Sequence, residues 1–285
     1  MKLVTCKNST AADRYDVGIL RDDDTVVVMA DDLRAVDVNA FLDLDSGLLQ
    51  RADNSLRHGT SKIIDRNKLR LAAPVPRPGK VICIGLNYRN HAIESGMDIP
   101  KSPIIFSKFS SCVVAPDDPV RIPTASTQTD YEAELAFVIG RRASNVKAAD
   151  AMNYVLGYTN FNDVSARDFQ FADGQWQRGK SCDTFAPMGP FIATADEIAD
   201  PHDLRIRFRL NGETFQDSTT SELIFRIPEL VEFLSSSITL EPGDVVATGT
   251  PPGVGFARKP PVYLKSGDVC EVEIEGLSVL SNPVA

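Results

Sequence analysis

Short apolar runs, broken by polar turns, set the pattern of this chain. Near the start, DRYDVGIL and DTVVVMADD read as two strands joined at the polar turn Arg21–Asp24, a hairpin pattern. SGLLQRADNSL fits a short helix with Ser46 as its cap. LAAPVPRPGK then sets Pro74, Pro76 and Pro78 at alternate positions. Prolines so spaced cannot donate ladder hydrogen bonds and favour an extended connector. A boundary there makes residues 1–70 a small amino-terminal domain and residues 71–285 a larger second one.

Beyond the connector, VICIGLN reads as a buried strand and NYRNHAIESG as a loop entering a short helix that ends at Gly96. Further strand-like runs lie at 104–106, 112–115, 131–139 and 155–161, then at 204–212, 244–249 and 268–276. In CEVEIEG, Val272 and Ile274 alternate with Glu271, Glu273 and Glu275, the mark of a half-exposed strand. IPELVEFLSSS is the clearest helix of this half, with Pro228 in its first turn. A repeating βαβα rhythm is missing, so the expected class is a β-rich α+β fold.

Composition narrows the function. At 285 residues, with 43% hydrophobic and 24% charged, the chain can bury a large core. Its apolar runs are too short to cross a bilayer as helices, and a secretory leader is not expected. A formal charge of −9 disfavours nucleic acid and acidic membrane surfaces as partners. Five cysteines without a CxxC pair point to reduced thiols and a cytoplasmic setting.

The chemistry concentrates in a few segments. In DYEAELAFVIG, Glu132 and Glu134 fall on one strand face, Cα atoms roughly 6.5–7 Å apart. Ala136 and Val138 continue that face while Leu135, Phe137 and Ile139 line the other, so the strand is buried on both sides. Paired carboxylates entering such a strand repel and lose hydration unless a cation joins them, and hard oxygen ligands suit Mg²⁺ or Mn²⁺. Asp163 stands where an apolar run turns polar; it offers a third ligand, and equally an N-cap for DVSARDF. His91 and Glu94, three apart, can form a base with its orienting acid, or a surface histidine beside an incidental carboxylate. Lys180 suits a cation for a developing oxyanion, although loop lysines are more often solvated. Trp176, shortly before it, fits either a lid or an ordered loop. GTPPGVG (249–255) can bring its backbone close to a ligand but lacks the features of a phosphate-binding loop. GxSxG and HExxH motifs are missing, which leaves serine-hydrolase and zinc-protease readings without support.

Taken in order, VICIGLNYRNHAIESG, DYEAELAFVIG, GYTNFNDVSARDFQ, GKSCDTFAPMGPFI, LEPGDVVATGTPPGVG and KSGDVCEVEIEGLSVLSNPV resemble the fumarylacetoacetate hydrolase family over about residues 70–285. The resemblance implies a mixed β-sandwich roll, assembled as a homodimer or dimer of dimers. It implies Mg²⁺ or Mn²⁺ on Glu132, Glu134 and Asp163, with His91, Glu94 and Lys180 as catalytic groups. Arg167, Gln170, Thr184 and Thr250 match residues of the substrate pocket and the metal's surroundings. The implied activity is cleavage of a carbon–carbon bond in a small anionic 2,4-dioxo acid. Isomerase, decarboxylase and ureidoglycolate lyase chemistries are the alternatives, and a silent binding protein is a third class.

Overall fold

In a computed structural model, residues 1–7, 15–22, 24–28, 38–58 and 62–285 of the chain are described. The chain opens with strands β1 (Lys2–Lys7), β2 (Tyr15–Leu20) and β3 (Thr25–Val28), helices α1 (Val38–Phe41) and α2 (Leu48–His58), and strand β4 (Lys62–Asp65). The expected hairpin is β2–β3, paired antiparallel with Leu20 opposite Val26; the end of its second run, beyond Val28, lies outside the described residues. Before α2 the hydroxyl of Ser46, the expected cap, accepts the Leu48 N–H at 3.1 Å from one residue outside the cap position, because Gly47 with φ +71° stands between them.

After the prolines come β5 (Val81–Gly85), α3 (Arg89–Glu94), β6 (Ile104–Lys108), β7 (Val113–Val114), β8 (Thr129–Asp130), β9 (Ala133–Ile139), β10 (Val155–Asn162) and β11 (Ser165–Ala166). Helices α4 (Arg167–Gln170) and α5 (Gln177–Lys180) lead to β12 (Ala186–Thr194), β13 (Arg205–Leu210) and β14 (Glu213–Thr219). Helix α6 (Ile227–Ser235), β15 (Val245–Ala247), β16 (Val269–Ile274) and β17 (Val279–Pro283) complete the fold. Pro228 lies in the first turn of α6, where the Glu229 side chain takes up the Arg226 N–H at 2.8 Å.

Among the described residues, eleven strands form one mixed sheet in the order β4-β3-β2-β1-β12-β10-β9-β15-β5-β6, with β7 joined to β12. A four-stranded sheet, β14-β13-β16-β17, packs across β9, β10 and β12. The architecture is the β-rich α+β class, and β14, whose outward positions are polar, is a strand that its apolar pattern does not announce. The sheet is continuous across the proline connector, because β1 pairs antiparallel with β12. One cluster of buried apolar side chains runs from Leu3 to Val284.

Strands β9 and β10 form the centre. Every residue of both is buried. That explains their two apolar faces, and each buried Leu, Ile or Phe contributes about 1.5–3 kcal/mol to stability. Between the sheets, Tyr131 stacks on Phe208 with ring centres 4.0 Å apart. The strands run antiparallel with Phe161 opposite Glu134, so the start of β9 lies beside the end of β10. That register brings the polar segment ends together in the interior.

Candidate active site

Glu132 precedes β9, Glu134 lies on it, and Asp163 follows β10. One carboxylate oxygen from each falls within 4.8 Å of the others, and all three residues are buried. Backbone pairing locks the approach: the Asp163 N–H donates to the Glu132 carbonyl at 2.9 Å, and Asn162 Oδ1 accepts the Glu132 N–H at 3.1 Å. Asp163 does not cap a helix; α4 begins at Arg167 after Ala166.

Lys180 Nζ donates to Glu132 Oε2 and to Asp163 Oδ2, both at 2.8 Å. Arg167 donates to Glu132 Oε1 at 2.6 Å, to Asp130 Oδ2 at 2.9 Å and to Gln170 Oε1 at 2.9 Å. Lys108, with a fully buried side chain, pairs with Asp163 Oδ1 and donates to the Val164 carbonyl at 2.9 Å. Four buried acids (Asp130, Glu132, Glu134 and Asp163) thus meet three buried cations, Lys108, Arg167 and Lys180.

The shortfall falls on Glu134, whose carboxylate has one hydrogen bond among the described residues, from the Gly249 N–H at 2.8 Å. Burial, then the charges of Asp163 and Glu132, push its carboxyl well above the usual range. Burial also acts to raise Glu132, but Lys180 and Arg167 overcome it and hold that carboxyl low. Around Lys180 burial opposes the charge, while Asp163 and Glu132 keep its proton held more tightly than in a free lysine. A divalent cation among the three carboxylates would relieve the uncompensated charge at Glu134, and all-oxygen donors are those Mg²⁺ and Mn²⁺ take. The residues therefore fit the metal.

His91 and Glu94 share α3. The imidazole is 6% exposed, so it is not a surface histidine, and its Nδ1 lies 2.8 Å from Glu94 Oε1. Binding Glu94 through Nδ1 leaves Nε2 as the proton acceptor of the neutral ring. Both Glu94 oxygens also accept the Gly253 N–H, at 3.0 and 2.9 Å. The glycine-rich loop 249–255 therefore serves the acids of the site: Gly249 donates to Glu134, Gly253 to Glu94, and Gly255 to Asp130 at 2.7 Å. Gly253 has φ +105°, and a Cβ there would meet the Phe215 carbonyl oxygen at 2.2 Å.

A cavity of about 150 Å³ opens on this cluster. His91, Glu132, Glu134, Arg167, Gln170, Lys180 and Thr250 line its polar part; Ile84, Leu86, Met97, Phe106, Trp176 and Phe256 are among its apolar walls. The Thr250 hydroxyl donates to the Ala133 carbonyl at 2.9 Å and accepts from Gln216 Nε2 at 2.8 Å, so its proton is used within the protein and it buttresses the cavity wall. Trp176 packs edge-on to Phe106, ring centres 5.5 Å apart. Of the expected residues Glu94, Asp163 and Thr184 do not line the cavity; Glu94 and Asp163 are bonded to the lining residues His91 and Lys180, and Thr184 stands apart. Its hydroxyl accepts the Arg121 N–H at 2.8 Å.

Sequence reading missed Lys108, Asp130, Gln216 and Ser95. Lys108 left a signal: Ile104, Phe106 and Lys108 share the inward face of β6, whose outward positions are exposed. Ser95 lines the cavity, and its buried hydroxyl has no hydrogen-bond partner among the described residues.

The chain is similar to known proteins in sequence and in fold. Residues 80–285 match the fumarylacetoacetate (FAA) hydrolase C-terminal family. Over 246 residues the chain is 50% identical to the mitochondrial oxaloacetate tautomerase fahd2 of Xenopus laevis, covering 86% of this chain and 77% of that protein. Among solved structures, fumarylacetoacetate hydrolase from psychrophilic Exiguobacterium antarcticum superimposes with TM-score 0.85 at 34% identity, covering 100% of this chain and 99% of the other. The 2-hydroxyhepta-2,4-diene-1,7-dioate isomerase from Mycobacterium marinum does so with TM-score 0.78 at 34% identity, covering 100% and 98%.

Proposed function

This chain belongs to the fumarylacetoacetate hydrolase family, and from that premise we propose that it is a metal-dependent tautomerase interconverting the enol and keto forms of oxaloacetate. The observation that carries the reading is the convergence of Glu132, Glu134, Lys180 and His91 on one small cavity, with a carboxylate oxygen of Asp163 within 4.8 Å of those of both glutamates. The substrate comes from the likeness to the frog oxaloacetate tautomerase. Carbon–carbon bond cleavage, the expectation from sequence, becomes the second reading.

Mg²⁺ or Mn²⁺ held by the three carboxylates would supply a Lewis acid for the substrate's carboxylate and 2-oxygen. The chain's own groups do the rest. Lys180 keeps its proton beside Glu132 and Asp163, so it stabilises the 2-oxygen by hydrogen bonding and does not give the proton away. His91, oriented through Nδ1 by Glu94, takes the proton from the enol oxygen and returns it to C3. The enzyme ends the cycle in the protonation state in which it began. Apolar walls from Phe106, Trp176 and Phe256 limit water around the reacting carbon.

The test follows the ultraviolet absorbance of enol-oxaloacetate with Mg²⁺ present. Wild type accelerates its decay, and His91→Ala lowers kcat by about a hundredfold or more. An unchanged rate in that variant would refute the proton-shuttle role. The second reading has its own support in the Glu94-oriented imidazole, which equally suits activation of water. Acylpyruvates cleaved to pyruvate and an acid, faster than enol-oxaloacetate is converted, would favour it. Assembly as a homodimer is part of the proposal and is read by light scattering. The cytoplasmic expectation rests on the unpaired cysteines, and the frog relative is named as mitochondrial.

A further inference from the structure

Each carboxylate of the candidate metal site has at least one oxygen held by a donor built into the protein, and Lys180 also donates to the second oxygens of Glu132 and Asp163, both at 2.8 Å. Asp163 Oδ1 is held by Lys108, Glu132 Oε1 by Arg167 at 2.6 Å, and Glu134 Oε2 by the Gly249 N–H at 2.8 Å. None of these donors is free to leave. The Lys108 side chain is 0% exposed and its ammonium is also bound to the Val164 carbonyl. Arg167 is anchored on Asp130, and the third donor is backbone.

We propose that Lys108 is a positioning residue that selects the metal by confining Asp163 to one ligand oxygen. The oxygen left to Asp163 for an ion is Oδ2, which accepts one hydrogen bond from the cavity-lining Lys180 at 2.8 Å and keeps a second lone pair. Mg²⁺ and Mn²⁺ are satisfied by one oxygen per carboxylate in a near-octahedral shell. Ca²⁺ takes more oxygens and gains from two-oxygen binding. Three carboxylates that each present one oxygen therefore favour the smaller ions, and freeing Asp163 Oδ1 removes part of that preference. Lys108 reaches neither the cavity nor a ligand within it; it acts through Asp163 alone.

This inference rests on the metal reading of Glu132, Glu134 and Asp163, and displacement calorimetry separates the two. Chelator-stripped protein is titrated with Mn²⁺, and the bound ion is then competed with Mg²⁺ or Ca²⁺. Wild type prefers Mg²⁺ to Ca²⁺; Lys108→Met shifts that ratio toward Ca²⁺ by about tenfold, the effect of one charge-assisted contact. Lys108→Arg, which keeps a buried donor, retains most of the wild-type ratio. A folded Lys108→Met protein with the wild-type ratio overturns the proposal. So does a wild type that binds Ca²⁺ as tightly as Mg²⁺, an arm that needs no variant to fold. A wild type that takes up none of the three ions fails the metal reading itself.

Discussion

Two strand segments of this chain carry the same motif, a glutamate at every second position, and meet opposite fates. In β16, Glu271 and Glu273 stand on the outer face of the smaller sheet. Across the strand pair, Arg207 binds Glu273 at 2.6 Å, and Arg209 binds Glu271 at 3.1 Å and also Glu273. These side chains keep 21–29% of their surface in water, and charge is matched across the face. Around β9, Glu132 and Glu134 are 5% and 1% exposed, and their surroundings leave negative charge in excess. Spacing is shared, so spacing does not make a site. The difference lies in what continues the glutamate face: Ala136 and Val138 beside the buried pair, Glu275 beside the solvated one.

Substitutions on the two segments should therefore differ in kind. The largest effect is expected from Glu134→Gln, which removes a proposed metal ligand with little change of shape. Loss of several kcal/mol of metal-derived stabilisation corresponds to a fall of about a thousandfold in kcat/KM for enol-oxaloacetate. Retained activity in this variant would place the chemistry elsewhere.

An intermediate effect is expected in pH dependence. The Glu134 carboxyl is raised by burial, then by Asp163 and Glu132. The folded, ion-free protein therefore keeps a proton there that the unfolded chain releases at ordinary carboxylate pH. That contribution to stability is full below the unfolded value and is lost as pH rises through the raised folded value. Ion binding removes the proton, so the rise in Tm given by Mg²⁺ should grow with pH over the same interval. Thermal unfolding with and without Mg²⁺, from about pH 5 to pH 8, measures this. A Mg²⁺-induced rise independent of pH would show that Glu134 is not the proton carrier.

The smallest effect belongs to the outer face. Glu273→Gln should cost less than about 1 kcal/mol in denaturant unfolding and leave ion binding unchanged, since water screens such pairs. A cost comparable to that of a core substitution would remove the contrast between the two segments.

Much of this was legible in the residues. The two-faced apolar pattern of β9 and β10, the half-exposed pattern of β16 and the α6 helix all follow from local alternation, and local alternation is what a sheet enforces. Glu132, Glu134, Asp163, Lys180 and the His91–Glu94 pair lie in segments where an apolar run gives way to polar residues, and the fold brings them together. What stayed hidden depends on distant pairing. Lys108 meets Asp163 across 55 positions, and Gln216 meets Thr250 across 34. Gly253 binds Glu94 across 159, so the loop's role as a donor to acids had no local signature. Thr184 shows the converse: a matching motif position whose side chain turns to Arg121 and away from the cavity.

The central claim is that the buried glutamate pair and Asp163 work by holding a metal for the tautomerisation of a 2-oxo acid. The direct measurement is the rate of enol-oxaloacetate decay with chelator-stripped protein, before and after Mg²⁺ or Mn²⁺ is restored. The stripped protein should leave the decay at its uncatalysed rate, and either ion should return full activity. Undiminished catalysis by the stripped protein would contradict the account.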